Sequence, residues 1–181
     1  MVASLARLLA RSGKRVLAVD CDWRRPRLHS LFRGCGNKVG IHELLSDPRA
    51  VLNDCVQRDA ASGADLIAAG HWNPGAAHLL HSGRMRELLQ LLSASYDVVL
   101  IDCPPVLVTA DALALSRLSD KVVYVVRWGH TARETAGDAL KQLLDCRADV
   151  AGIAISRVVT GEYRRYASRV GYARRPLVSF R

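Results

Sequence analysis

Several features are scarce in this chain, and each scarcity excludes something. No stretch approaches the roughly 18 uninterrupted apolar residues of a membrane span. The first apolar segment carries Arg7 and Arg11 within it, which does not suit a secretory signal, so the chain reads as cytoplasmic. Cysteines number five, at positions 21, 35, 55, 103 and 146, an odd count with no C-x-x-C pair. That argues against a disulfide framework and against a zinc knuckle. Lysine occurs only at positions 14, 38, 121 and 141. There is no internal repeat and no low-complexity tract. Nowhere does the chain contain G-x-x-x-x-G-K-S/T, the loop whose amides and lysine cradle nucleotide phosphates. Ser12-Gly13-Lys14 is not such a loop; it lies before a strand rather than after one, and reads as a helix stop.

What is present fits one soluble globular domain. Of 181 residues, 50% are hydrophobic and 24% charged, enough for a single core and too few for two comfortable ones. The net charge of +9 is carried mostly by arginine. Such a balance suits acidic partners: nucleotide, nucleic acid or an anionic membrane face. Much of it lies near the end, at Arg157, Arg164, Arg165, Arg169, Arg174, Arg175 and Arg181. A terminal charge cluster is ordinarily a solvated tail, and no specific nucleic-acid site is read from it.

Two apolar runs stop abruptly at aspartate. One is Arg15-Val16-Leu17-Ala18-Val19-Asp20-Cys21-Asp22, and the other is Asp97-Val98-Val99-Leu100-Ile101-Asp102-Cys103-Pro104. Each has the pattern of a buried parallel strand that delivers a carboxylate to the open end of a sheet. Cys21 and Cys103 beside them read as small strand-end residues. Around these strands, Val2, Leu5, Ala6 and Leu9 keep helical spacing up to Gly13, and a short helix is expected near Ile41–Leu45. A short strand is predicted at 65–69, a turn at 72–75 and a helix to about Ser93 with Met85, Leu88, Leu89 and Leu92 inward. A helix near 111–118, a strand at 121–127, a helix opened by a Thr131/Glu134 capping box and a last strand at 150–156 complete the series. Strands alternating with helices mean α/β with a parallel sheet, ligands sitting at the strands' carboxyl ends. Asp20, Asp22 and Asp102 all fall there, where they suit a hydrated Mg²⁺ and a nucleoside triphosphate. His71, His78 and His81 have no matched acidic or cysteine partner in the pattern and read as surface or cleft histidines.

With these residues in hand, the chain resembles the cytoplasmic kinase domain of bacterial tyrosine kinases that serve capsule and exopolysaccharide assembly. Val16 to His29 resembles that family's second acidic motif, and Val98 to Ala112 its Walker B segment. Val39–Leu45, Asn73-Pro74 with Leu79–Leu89, and Val125–Arg127 match the linking blocks in order. The resemblance implies a P-loop NTPase-like sheet flanked by helices, with the central phosphate-loop strand missing at the N-terminal side. It divides the chain into a kinase-like domain, 1–160, and an Arg/Tyr-rich tail, 161–181. It implies ATP and Mg²⁺ as cofactors, with Asp20 acting on the acceptor tyrosine as base or orienting group, and Asp22 and Asp102 holding Mg²⁺ directly or through water. Arg24 and Arg157 would lie near the nucleotide, although Arg24 and Arg25 also suit a subunit contact or plain surface. Ser156-Arg157 stands where the family places Asn-Arg. Tyr163, Tyr166 and Tyr172 occupy the region of the family's phosphorylated cluster, and also suit ordinary surface tyrosines. The implied partners are a membrane polysaccharide co-polymerase and further copies of the chain, with attachment to the inner face of the membrane through a partner or an upstream segment of the same polypeptide. Two alternatives stand beside the kinase: a non-catalytic docking remnant, and a partition or division-placement ATPase of the same superfamily.

Overall fold

The computed structural model describes residues 1–71 and 73–169. Trp72 and residues 170–181, Tyr172 among them, lie outside the described residues. Helix α1 (Val2–Arg11) ends at Ser12, and Gly13 continues in the left-handed region at φ +86°, a conformation that a side chain would strain. Its buried face is centred on Ala3 and Ala6 rather than on Leu5, which is exposed. The small alanines let the helix lie close over β1 (Val16–Asp20), and the larger Val2 and Leu9 pack at the margins.

Strand β1 is buried along its whole length. It lies between β3 (Asp65–Ile67) and β4 (Val98–Asp102), parallel to both. A short β2 (Val56–Arg58) extends the sheet antiparallel to β3, giving the order β2-β3-β1-β4. The parallel sheet expected from the sequence thus carries one antiparallel strand at this edge. The turn between β2 and β3 is short enough for a hairpin, and its Ser62-Gly63 is the sequence cue for it.

Successive β1 residues point to opposite faces, which divides the core in two. Leu17 and Val19 pack with Ile67 against α3 (Ile41–Ser46), the 3₁₀ helix Pro74–His81 and α5 (Gly83–Ser95), through Ile41, Leu80, Met85 and Leu92. Val16 and Ala18 pack with Leu66 against Ala3, Ala6, Phe32 and Leu28, the last on the short helix α2 (Leu28–Leu31). Each fully buried leucine contributes about 1.5–3 kcal/mol relative to exposure. Helix α4 (Leu52–Cys55) leads into β2.

A carboxylate fastens these layers together. Asp59, fully buried in the β2–β3 turn, accepts from Arg7 Nε at 2.8 Å, from the Arg33 amide at 2.7 Å and from Ser62 Oγ at 2.7 Å. Helix α1, the segment after α2 and the hairpin thus meet at one side chain. The Arg7 guanidinium holds the Asp59 carboxyl far below the usual carboxylate range.

The second sheet has two strands, β5 (Val122–Arg127) and β6 (Val150–Ser156), parallel to each other. Among the described residues β4 and β5 are not hydrogen-bonded to one another, so each ends its own sheet. β4 is consequently half-buried throughout rather than the buried strand expected from its sequence. Helix α6 (Asp111–Ser116) follows β4, and α7 (Arg133–Asp145) joins β5 to β6. The expected Thr131/Glu134 capping box does not form: Ala132 is the N-cap, and the Thr131 amide is used in a turn onto the Arg127 carbonyl. Helix α8 (Thr160–Arg169) begins what the sequence presents as a tail.

Candidate active site

The parallel register of β1 and β4 sets Asp20 directly beside Asp102, one strand spacing apart, about 4.8 Å. The Cys21 amide donates to the Asp102 carbonyl at 2.9 Å, carrying the pairing one residue past the strand ends. Asp20 is fully buried, and both its oxygens are engaged by amides: Leu28 N at 3.0 Å and Asp22 N at 3.2 Å. It therefore organises the loop 21–28 from beneath. Asp22 stands half-buried on that loop, its Oδ1 accepting the Arg25 amide at 3.2 Å. The Asp102 carboxylate accepts no hydrogen bond from the described residues, which leaves its oxygens open to a ligand.

Burial pushes the Asp20 carboxyl up to about 6, with the neighbouring Asp102 and Asp22 charges adding to the effect. Burial also raises Asp102, again with help from Asp22. Clustered carboxylates with no cationic side chain paired to them among the described residues form a site of hard oxygen donors. Mg²⁺ fits that chemistry. No cage of three or more ligating side chains is present among the described residues, and Mg²⁺ customarily keeps several waters and takes oxygens from substrate phosphates.

The loop is seated by Trp23, buried and edge-on to His42 with ring centroids 5.6 Å apart. Helix α3, which carries His42, starts hard against the end of β3. The Ile41 amide donates to the Ala68 carbonyl at 2.8 Å, and a Cβ at Gly40 would run into that same carbonyl. Glu43 accepts the Gly40 amide at 2.8 Å and closes onto His71, whose Nδ1 lies 3.0 Å from Glu43 Oε1. Sequence reasoning missed this Gly40–Glu43–His71 brace; a glycine three residues before a glutamate was its available signal. His81 pairs with Asp111 at 2.9 Å and His78 with the Gly75 carbonyl at 2.8 Å, so the three histidines go to separate partners.

Arg24 and Arg25 lie on the same loop, exposed and without an ion-pair partner among the described residues. Arg157, just past the carboxyl end of β6, is also exposed and holds a left-handed backbone at φ +56°. Such strain in a residue with a side chain concentrates at functional sites. The acids come together through backbone register; among the described residues Arg24 and Arg157 make no hydrogen bond or ion pair with them.

Of the three tyrosines, two are described, and they are not free. Tyr163 and Tyr166 pack edge-on against Trp128, at centroid distances of 6.2 and 5.7 Å. Trp128 Nε1 donates to Glu162 Oε2 at 3.2 Å, and its amide extends the β5–β6 pairing to the Ser156 carbonyl at 2.9 Å. Helix α8 is thereby clasped to the end of the small sheet. The signal for this clasp was a tryptophan closing β5 and two tyrosines three apart.

Residues 1–150 match the AAA domain family. The chain is 36% identical over 170 residues to the putative tyrosine-protein kinase EpsB of Ralstonia solanacearum, covering 93% of this chain and 22% of that protein. It is 33% identical over 164 residues to tyrosine-protein kinase YwqD of Bacillus subtilis, covering 91% of this chain and 68% of that one. The solved kinase domain of the Escherichia coli tyrosine kinase ETK matches with a TM-score of 0.79 at 32% identity, over 88% of this chain and 64% of that one. The chain thus spans about a fifth of the length of EpsB and about two thirds of YwqD.

Proposed function

The chain belongs to the AAA-domain family of bacterial tyrosine-protein kinases, and from that premise we propose that it bears the acidic side of a site transferring a phosphoryl group from ATP to tyrosine. The polysaccharide assembly served would be capsule or exopolysaccharide polymerisation and export. One observation carries the reading: the β1–β4 register that sets Asp20 beside Asp102 while Asp20 holds up the loop bearing Asp22. Asp22 and Asp102 are the residues that would hold Mg²⁺, whose charge offsets that of the phosphates. Asp20, engaged by two amides, serves as the positioning residue of the pair of roles open to it. Arg24 and Arg157 are assigned to the nucleotide, Arg157 on the strength of its strained backbone. Tyr163, Tyr166 and Tyr172 are the proposed acceptors, the first two becoming available when α8 leaves Trp128.

The phosphate-cradling loop would arrive on a strand pairing with β4 or β5, each of which ends its own sheet among the described residues. No helix among these residues is long and apolar enough to cross a membrane. Attachment to the inner face of the membrane is assigned to a co-polymerase partner or to an upstream segment of the same polypeptide, and transfer between copies to a homo-oligomer. The test is Asp102→Asn in cells that make the polysaccharide, read by phosphotyrosine on the protein. The expected result is a loss of more than about 100-fold, the scale of removing a group that acts in the transition state. Unchanged labelling overturns the assignment. The absence of G-x-x-x-x-G-K-S/T from the sequence favours a second reading, docking without catalysis. Tight Mg·ATP binding by the 181-residue chain rules that one out.

A further inference from the structure

Several described arginines on this fold are held by partners. Arg7, Arg15, Arg49 and Arg58 each face a carboxylate, and Arg84 donates to the Asp47 carbonyl at 2.7 Å. Arg86 and Arg117 are different. They are exposed, they have no ion-pair partner among the described residues, and they line one pocket together. The pocket has a volume of about 470 Å³ and lies where the 3₁₀ helix, the first turns of α5 and the end of α6 meet. Leu80, which is fully buried, and Leu118 supply apolar wall. None of its lining residues belongs to the acidic site at the ends of β1 and β4.

The walls are fixed before any ligand arrives. Ser82 caps α5, accepting the Met85 amide at 3.3 Å while its hydroxyl donates to the Leu79 carbonyl at 2.6 Å. His81 is held on Asp111 at 2.9 Å, which also occupies the acid next to the pocket. What remains uncommitted is the pair of guanidiniums.

We infer that this pocket binds a phosphotyrosine side chain. Two unpaired guanidiniums suit a dianionic phosphomonoester, which each can grip through parallel N–H donors. A bare phosphate would leave the leucine wall without a contact, whereas an aromatic ring lies against it. The pocket is open to the surface, so a phosphotyrosine displayed on a polypeptide can enter. The biological meaning rests on the proposed kinase reading, since phosphotyrosine would be the product of that reaction. Binding itself does not depend on that reading. A phosphorylated copy would then be held by its neighbour through Arg86 and Arg117.

The experiment uses a short fluorescein-labelled phosphotyrosine peptide with uncharged flanks, titrated with the 181-residue chain and read by fluorescence polarisation. Saturable binding is expected, weakened at least about tenfold in the R86A/R117A double variant, a loss of about 1.4 kcal/mol. The phosphoserine version of the peptide should bind at least about tenfold more weakly, because it brings no ring to the leucines. Both substituted side chains are exposed, and an unchanged melting temperature of the variant establishes that its fold is intact. Binding that survives the double substitution, or equal binding of the phosphoserine or unphosphorylated peptide, overturns the inference. The peptide is phosphorylated by synthesis, so a chain without kinase activity still gives a clear answer about the pocket.

Discussion

β1 and β6 are both strands of small and branched apolar residues, yet β1 is buried on both faces while β6 leaves Ile153 and Ile155 53% and 55% exposed. β5 repeats the pattern with Val123 and Val125. The difference lies in what covers each strand. β1 has a paired neighbour on either side, helices α1 and α2 over one face, and α3, α5 and the 3₁₀ helix over the other. The β5–β6 pair has one partner edge and an open apolar face among the described residues. Strand composition thus states a capacity for burial, and the surrounding elements decide whether it is met. The site follows the same division: the carboxylates with raised pKa values sit at the end of the covered sheet, and the clasped tyrosines at the end of the uncovered one.

Four perturbations sharpen that contrast, from strong to weak. Asp59→Ala should cost the most, about 3–5 kcal/mol, because it strands the Arg33 amide and leaves the Arg7 guanidinium with the Leu31 carbonyl in place of a carboxylate. Urea unfolding measures it, and a loss under about 1 kcal/mol would show that Asp59 does not join the layers. Leu66→Ala comes next at about 3 kcal/mol from lost burial and the cavity left behind. Its counterpart Ile155→Ala should cost under about 0.5 kcal/mol. Equal costs in the same denaturation series would erase the distinction between the two sheets.

The third perturbation is pH. The folded Asp20 carboxyl, at about 6, holds its proton more tightly than an unfolded aspartate near 3.9. Its contribution to stability is therefore fully present below about pH 4 and is lost as pH rises through about 6, a change of about 2–3 kcal/mol. Asp20→Asn should flatten the stability curve across that window. A slope identical to the parent protein would mean that Asp20 is not the group titrating there. Weakest is Trp128→Ala, which removes the clasp at a cost of about 1 kcal/mol, local to α8. Trypsin should then cut after Arg164 and Arg165 faster than in the parent, and an unchanged cutting rate would place the hold on α8 elsewhere.

Much of this was legible in the sequence. The apolar runs ending at Asp20 and Asp102 located β1 and β4, and the last strand at 150–156 falls where its pattern puts it. Periodicity succeeds there because each run is long enough to show its period. It failed at β2, α2 and α4, which have only three or four residues each and owe their form to neighbours. It also misjudged the depth of β4, since burial of a strand depends on a neighbour that its own residues do not encode. At the site, the sequence indicated which acids converge but not how they differ. That Asp20 is consumed by two amides while Asp102 is open emerges only from the fold of the loop between Cys21 and Leu28.

The open side of the β5–β6 pair has a consequence for how this molecule behaves in bulk. A strand edge with unpaired amides beside exposed valine and isoleucine is a template for strands of other molecules. Working against that is the net charge of +9, which makes copies repel one another. Repulsion between surface charges fades beyond about 8 Å at physiological ionic strength, while the attraction of the apolar face does not. Colloidal stability of the isolated chain is therefore greatest in dilute salt and falls as salt is added, so the buffer sets its solubility as much as its own surface does.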